Sequence, residues 1–216
     1  MIQAVDASLM YHDHGRDVYA CREISLDVQP NEFLGILGPS GSGKSSLLYL
    51  LSGLKLPTSG VVTFDGRNLK QMKDEERANL RLSEFGFVFQ QPYLLGYLTA
   101  LENVVIAAGP NGRGSQEQAQ ELLETLGMGA KQHRHPHELS VGERQRVCVA
   151  RALLGSPKAI FADEPTASLD HTNGVQVVEL LNKHRGEGSL VMVTHDPSML
   201  EAADRVLQIV DGQIEA

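Results

Sequence analysis

The chain has 216 residues, which fits one large domain or one domain with an inserted subdomain. It is 42% hydrophobic and 21% charged, so it carries enough apolar residues for a core and has the composition of a globular protein. Nineteen basic and 27 acidic residues give a net charge of −8. This acidic balance argues against nucleic acid as a partner, because phosphate backbones are bound by clustered Lys and Arg.

Other features of the composition concern the cellular compartment. The sequence has no run of about 18 apolar residues, so a membrane component would have to be another chain. Residues 1–15 show neither the basic flank nor the apolar segment of a secretion signal. Cys21 and Cys148 lie far apart and predict neither a disulfide framework nor a zinc site, which favours a reducing cytoplasm.

The first half of the chain predicts strands around one helix. Alternating apolar residues predict half-buried antiparallel strands at 21–28 and 60–66. Between them, the apolar run 33–38 predicts a strand, and the following segment 45–53 predicts a helix that ends in glycine. A further strand is predicted at 85–90.

The second half begins with mostly helical patterns, broken by "GPNGRGSQ" and "HRHPHE". Segments 158–164 and 189–196 are apolar almost throughout, as in buried parallel strands. A helix is predicted between them, and 205–214 predicts a hairpin. We therefore expect a single domain over 1–216, with a helical insertion at about 92–155 in an α/β core.

The segment "GPSGSGKSS" has the spacing G-x-x-x-x-G-K-[ST] of a phosphate-binding loop. Its glycines let successive backbone N–H groups point at phosphate oxygens, and the following helix adds its positive end. Lys44 should reach the β- and γ-phosphates, and Ser45 should ligate Mg²⁺. The strand before the loop and the helix after it argue against a chance glycine-rich turn. The predicted contacts are Gly38, Pro39, Ser40, Gly41, Ser42, Gly43, Lys44, Ser45 and Ser46.

Asp163 and Glu164 stand at the end of an apolar predicted strand, in "AIFADEPTASLD". Ligands of open α/β sheets bind beyond the carboxyl ends of the strands, where these two side chains emerge. Asp163 would hold Mg²⁺ directly or through water, and Glu164 would orient and deprotonate the attacking water. Alone, the pair could also be a solvated acidic strand end; the phosphate loop favours the functional interpretation.

The segment "LSVGERQ" admits two interpretations. Ser140 followed three residues later by Glu143 is a capping box for the next helix. A helix N-terminus with Ser140 and Gly142 is also an anion site. Because the phosphates of the chain's own nucleotide are already held by the first loop, a second γ-phosphate contact would serve a nucleotide held by another subunit. The two roles are compatible.

Five motifs in this order resemble the nucleotide-binding subunits of ABC transporters: "GPSGSGKSS", the glutamine of "GFVFQQ", "LSVGERQ", "AIFADEPTASLD" and "MVTHD". The resemblance covers essentially the whole chain. It implies a P-loop NTPase core, an N-terminal antiparallel β subdomain and an inserted helical subdomain. It also implies that two copies close head to tail and trap two ATP molecules between them.

The resemblance assigns roles to further residues. Tyr11 would stack on adenine, with Tyr19 as the alternative. Gln90 would contact Mg²⁺ and sense a membrane partner through segment 92–105. Ser140 and Gly142 would face the γ-phosphate across the dimer, residues 168–170 would couple the two sites, and His195 would contact the γ-phosphate.

Three features bear on this assignment. A lone histidine after a buried strand is more often structural, and only the "THD" context of His195 points to catalysis. His133, His135 and His137 imitate a metal cluster, but Pro136 and the loop setting argue against one. Val141 stands where the family normally has glycine, and because its side chain would crowd the partner's phosphate, we expect slow turnover.

The motifs most resemble the branch that includes lipoprotein-release, macrolide-efflux and cell-division subunits. That branch implies a separate integral membrane permease with a periplasmic domain, and places the ATPase peripherally on the cytoplasmic face of the inner membrane. Two other interpretations stay open: a soluble ABC ATPase with a non-transport role, and a nucleotide-gated switch with little hydrolysis. A GTPase is not expected, because no N-K-x-D motif occurs. The transported substance cannot be read from this chain.

Overall fold

The computed structural model describes residues 1–13, 16–109 and 114–215. Residues 110–113, within the break predicted at 109–116, lie outside the described residues. The strands are β1 Ile2–Asp13, β2 Arg16–Val28, β3 Phe33–Leu37, β4 Ser59–Phe64, β5 Arg67–Asn68, β6 Phe85–Phe89, β7 Ala159–Asp163, β8 Ser189–Thr194, β9 Arg205–Val210 and β10 Gln213–Ile214. The α-helices are α1 Lys44–Leu51, α2 Asp74–Glu84, α3 Ala100–Val105, α4 Gln116–Thr125, α5 Val141–Leu153 and α6 His171–His184.

The N-terminal sheet is antiparallel and has the order β2-β1-β4-β5 within the described residues. The strands predicted at 21–28 and 60–66 are confirmed as parts of β2 and β4. Strand β1 was not predicted, because its pairing shifts register near Asp6, which has a positive φ of 46°. A bulge of this kind interrupts the period-2 alternation on which a sequence prediction depends.

The second sheet has the order β10-β9-β3-β8-β7-β6, and all of its pairings except β10 with β9 are parallel. Strands β7 and β8 are buried at every position, as expected for strands covered on both faces. The carboxyl ends of parallel strands lie at one edge. The phosphate loop after β3, Gln90 after β6, Glu164 after β7 and His195 after β8 therefore meet there.

The two faces of this sheet pack into two apolar clusters. Alternate residues of β7 divide between them: Phe161 packs with α1 and the N-terminal sheet, whereas Ile160 and Ala162 pack with the helices of the other face. Successive side chains of a strand point to opposite faces, so one short apolar strand serves both cores. This architecture is the α/β class that the resemblance implied.

Residues 92–99 have no helix, and the regular elements of the described part of 100–155 are helices, with α3, α4 and α5 packed together. Helix α5 also packs on β6 and α6, so it joins the insertion to the core sheet. The exact boundaries of the inserted subdomain stay a prediction. Across the described residues, none of the helices has the length and apolar character needed to cross a membrane.

Candidate functional site

The phosphate loop runs between β3 and α1 and is packed tightly against neighbouring backbone. A Cβ on Gly43, where φ is +102°, would lie 2.2 Å from the carbonyl oxygen of Ala20. A Cβ on Gly38 would lie 2.3 Å from the carbonyl oxygen of Ile209. Both glycines are thus required by the fold, because β2 and β9 approach the loop too closely for any side chain.

Lys44 is the first residue of α1, and its ammonium group is held inside the loop. Its Nζ donates to the carbonyl oxygens of Gly38 at 2.8 Å and Pro39 at 2.9 Å. It also lies 3.5 Å from Oε1 of Glu164. The residue is only 6% exposed, and a buried charge of this kind needs such partners.

A cavity of about 790 Å³ opens beside this loop. Its wall brings together most of the residues predicted to bind or hydrolyse nucleotide: Pro39, Ser40, Gly41, Gly43, Lys44, Ser45, Ser46, Gln90, Glu164 and His195. Ala167, from the loop after β7, lines it as well, and strand β2 contributes Val18, Tyr19 and Ala20. The cavity is therefore formed by residues that are distant in sequence but follow neighbouring strands.

The structure does not bring Tyr11 into this cavity. Within the described residues, the aromatic ring in its wall belongs to Tyr19, the alternative weighed from the sequence. Tyr11 lies on β1 opposite Val18, and its ring faces Lys55, whose Nζ is 6.0 Å from the ring centroid. The pairing of β1 with β2, which the sequence did not predict, decides which tyrosine reaches the loop.

Asp163 ends β7 and lies just behind the loop, with 7% of its surface exposed. Ser45 Oγ donates to its Oδ1 at 2.8 Å, and Tyr49 Oη donates to its Oδ2 at 2.8 Å. Burial and the bond to Asp163 raise the pKa of Tyr49 to about 12, so the phenol keeps its proton. Sequence reasoning missed Tyr49, although Ser45 and Tyr49 are four residues apart and share a helix face.

Glu164 and His195 form a contact at the ends of β7 and β8. Oε2 of Glu164 lies 2.9 Å from Nδ1 of His195. The backbone of Glu164 is in the left-handed region, with φ of +46°, and its N–H donates to the carbonyl of Val193 at 3.0 Å. Strained backbone of this kind often accompanies functional sites. A carboxylate oriented by a histidine can accept a proton from a water in the cavity.

The oxygen donors beside the loop fit a hard divalent cation. Ser45 and Gln90 line the first cavity, and Gln90 and Asp163 line a second cavity of about 440 Å³ next to it. Hydroxyl, amide and carboxylate oxygens are the ligands that Mg²⁺ takes alongside phosphate oxygens and water. The described residues contain no cluster of three or more His, Cys, Asp and Glu side chains that could hold a metal ion.

Ser140 caps α5 through the predicted capping box. Its Oγ accepts from the N–H of Glu143 at 3.2 Å, and Glu143 Oε2 accepts from the N–H of Ser140 at 2.9 Å. Lys131 pairs with the same carboxylate, and these contacts, Lys131 first, lower the pKa of Glu143. Ser140 and Gly142 line a separate cavity of about 380 Å³ with Asp170, and not the cavity beside Lys44.

The fold of this chain leaves room around the turn formed by residues 140–142. A Cβ on Gly142 would meet nothing closer than Leu169 Cδ2 at 3.9 Å. Val141 begins α5 with helical backbone and a side chain that is 41% exposed. Neither position therefore needs glycine for the fold of a single copy, and a requirement for a small residue must come from what contacts the turn.

Helix α5 is fastened to the loop that carries Gln90. Gln145 donates to the carbonyl of Phe89 at 3.1 Å, and Cys148 donates to that of Pro92 at 3.0 Å. Arg151 donates to the carbonyls of Pro92 at 2.8 Å and of Tyr93 at 3.1 Å. These donors recur every three residues, which places them on one side of the helix. Sequence reasoning gave none of them a role.

Cys148 and Cys21 are both free and buried. Desolvation raises the pKa of Cys148 to about 11 and that of Cys21 to about 12. The neighbouring segment after Gln90 exposes two aromatic rings, Tyr93 at 66% and Tyr97 at 75%. The thiols are thus structural, whereas the two tyrosines face outward.

Comparison with known proteins gives the following. The family model described as ABC transporter matches residues 21–167. The lipoprotein-releasing system ATP-binding protein LolD of Aquifex aeolicus is 45% identical over 195 residues, which cover 88% of this chain and 87% of LolD. The macrolide export ATP-binding/permease protein MacB of Neisseria meningitidis is 43% identical over 91% of this chain, which spans 31% of MacB.

Among solved structures, the dimeric ATP-binding cassette MJ0796 bound to ADP and Pi is 34% identical. It superposes with a TM-score of 0.92, covering 100% of this chain and 97% of that one. The similarity extends over both sheets and the helical segment.

Proposed function

The chain belongs to the ABC transporter family, and from that premise we propose that it is the ATP-hydrolysing subunit that powers a separate membrane permease. The observation that carries the proposal is the convergence of Lys44, Glu164 and His195 on one cavity beside a phosphate-binding loop. The relatives named for lipoprotein release and macrolide export favour export or mechanotransmission.

ATP binding is assigned first to the backbone of the phosphate loop and to Lys44. The loop N–H groups and the N-terminus of α1 would hold the phosphates, and Lys44 would exchange its carbonyl partners for phosphate oxygens. We assign adenine stacking to Tyr19, because its ring lies in the cavity wall and is 43% exposed. Tyr11 is not among the residues of that wall.

Ser45, Gln90 and Asp163 would hold Mg²⁺ together with the phosphate oxygens. The bound ion would neutralise negative charge on the β- and γ-phosphates. Ser45 would contribute its hydroxyl oxygen while its O–H donates a hydrogen bond to Asp163. Gln90 contributes an amide oxygen from a loop that leads to the exposed Tyr93 and Tyr97.

Hydrolysis is assigned to Glu164 and His195. Glu164 would accept a proton from water as the water oxygen attacks the γ-phosphorus and the bond to the β-phosphate oxygen breaks. His195 Nδ1 would hold the carboxylate in place, leaving Nε2 to contact the γ-phosphate. Low exposure of Glu164, at 14% of its side chain, keeps the carboxylate out of bulk water.

The second copy of the chain completes the site. Ser140 and Gly142 lie at the N-terminus of α5, outside the cavity beside Lys44 of their own chain. We assign them to the γ-phosphate held by the partner copy, where the helix N-terminus favours a negative charge. Head-to-tail closure would thereby couple ATP binding to dimerisation, as the dimeric relative bound to ADP and Pi suggests.

The permease contact is assigned to segment 92–105, whose exposed tyrosines follow the loop of Gln90. Binding there would place the protein peripherally on the cytoplasmic face of the cell membrane. The test is purification of the tagged chain from solubilised membranes. We expect an integral membrane protein to co-purify with the chain and to raise its rate of ATP hydrolysis. Both effects should be lost in Tyr97→Ala and kept in Val206→Ala, a substitution at an exposed apolar position on β9. A non-transport ATPase would bring down no such protein.

The ATPase assignment is tested with Glu164→Gln and a matched control, Glu179→Gln, at an exposed position on α6. We expect wild type and control to hydrolyse ATP, and Glu164→Gln to accumulate as an ATP-bound dimer in size-exclusion chromatography. Equal and negligible hydrolysis by wild type and Glu164→Gln, with the permease present, would instead identify a nucleotide-gated switch.

A further inference from the structure

We propose that Tyr49 is a positioning residue for Asp163: its hydroxyl fixes one carboxylate oxygen so that Asp163 is oriented toward the metal ion of bound nucleotide. This inference rests on the metal site assigned under the proposed function. It adds a residue from the middle of α1, outside every motif that the sequence singled out.

The geometry around Asp163 is a two-point attachment. Ser45 Oγ holds Oδ1 and Tyr49 Oη holds Oδ2, each at 2.8 Å. Both donors stand on α1, four residues apart, so one rigid helix presents both hydroxyls to one carboxylate. The terminal torsion of an aspartate is otherwise broad, and bonds to both oxygens fix its plane.

Ser45 alone leaves this orientation underdetermined. A single hydrogen bond to Oδ1 allows the carboxylate to rotate about its terminal torsion. Only 7% of the surface of Asp163 is exposed, so Oδ2 also needs a hydrogen-bond donor to offset its desolvation. Partners that orient a metal-binding carboxylate commonly change metal affinity by roughly 10- to 100-fold.

The surroundings of the Tyr49 ring favour a fixed donor over water. Tyr49 and Asp163 line the second cavity, of about 440 Å³, together with Gln90. Removal of the hydroxyl would leave Oδ2 facing that cavity, where a water could replace the donor but would not be anchored to α1. The substitution Tyr49→Phe therefore removes the positioning contact while keeping the ring that packs beside it.

The experiment titrates Mn²⁺ into nucleotide-loaded protein and follows binding by electron paramagnetic resonance. The variant is Tyr49→Phe, and Tyr11→Phe is the matched control, since Tyr11 is 38% exposed and lines neither of the two cavities beside the loop. We expect Mn²⁺ affinity to fall about tenfold in Tyr49→Phe and to stay unchanged in the control. Nucleotide affinity in the presence of a chelator should stay within about twofold of wild type.

A kinetic measurement separates positioning from a merely structural role. We expect Tyr49→Phe to need about tenfold more metal for half-maximal hydrolysis, with kcat largely recovered at saturating metal. Unchanged Mn²⁺ affinity, or a kcat loss that is equal at every metal concentration, would overturn the inference. If nucleotide binding and hydrolysis by the wild type do not depend on metal concentration, the assignment of the metal site under the proposed function fails instead.

Discussion

Nδ1 of His195 lies 2.9 Å from Oε2 of Glu164, and this contact links the ends of two adjacent parallel strands. Strands β7 and β8 are buried along their whole length, so the core holds the backbone from which the two side chains extend. The other carboxylate oxygen faces Lys44 at 3.5 Å. One glutamate thus contacts both the phosphate loop and the histidine, which makes its orientation sensitive to either.

Loss of the histidine should therefore impair chemistry more than binding. In His195→Ala, Glu164 loses the partner that orients it, and we expect hydrolysis to fall by at least about 100-fold. ATP affinity should change little, because the phosphate loop is intact. Single-turnover hydrolysis and equilibrium binding of a nucleotide analogue measure the two effects. His133→Ala, at an exposed position, is the control, and full activity of His195→Ala would contradict the assignment.

A substitution at Gly142 tests the contact with the second copy without disturbing the fold of a single chain. A Cβ at this position has 3.9 Å of clearance within its own chain, and alanine favours a helix over glycine by about 1 kcal/mol. We expect Gly142→Ala to unfold at an equal or higher temperature, yet to form less ATP-induced dimer and to hydrolyse more slowly. Light scattering with ATP measures dimerisation. Gly96→Ala, where a Cβ would meet nothing within 4 Å, should behave as wild type.

The capping box of α5 should make stability depend on pH in a definite direction. The pKa of Glu143 is lowered from its ordinary value of 4.5, chiefly by Lys131 and then by the N–H of Ser140. A carboxyl whose pKa is lowered on folding stabilises the fold above its ordinary pKa, and the stabilisation is lost as pH falls through the folded pKa. We expect this contribution to be present at neutral pH, to shrink as pH falls below the ordinary pKa, and to vanish once pH lies below the lowered folded pKa.

The comparison of wild type with Glu143→Gln isolates that contribution from the other carboxyls. Glutamine keeps the bond to Ser140 but not the charge. We expect a difference of about 0.5 kcal/mol in unfolding free energy at pH 7, since the Lys131 and Glu143 side chains are 42% and 25% exposed. The two proteins should converge at acid pH in urea titrations. A difference that grows on acidification would reverse the sign and refute the linkage.

Arg151 tests the fastening of α5 to the loop of Gln90. In Arg151→Met, the carbonyl of Tyr93 loses a charged donor and that of Pro92 keeps only Cys148. We expect a loss of about 1–3 kcal/mol in unfolding free energy and faster amide exchange across residues 90–93. Arg134→Met, at an exposed position, should cost little. Unchanged exchange at the loop would show that the contact does not restrain it.

Local sequence was sufficient for the phosphate loop and for the cap of α5. Gly43 and Lys44 follow an apolar strand and begin a helix. Ser140 and Glu143 each accept a hydrogen bond from the backbone N–H of the other, so the cap forms within four residues. Strands β7 and β8 were predicted at 158–164 and 189–196 from their apolar runs, and they end one and two residues earlier, at Asp163 and Thr194. Family resemblance added the expectation of a head-to-tail dimer.

Contacts between distant segments could be decided only by the tertiary structure. The pairing of β1 with β2 places Tyr19, and not Tyr11, beside the loop. The packing of α1 against β7 brings Tyr49 to Asp163, and the packing of α5 against β6 brings Arg151 to Pro92. Periodicity along one chain identifies which face of an element is buried, but it contains no information on which element packs against that face.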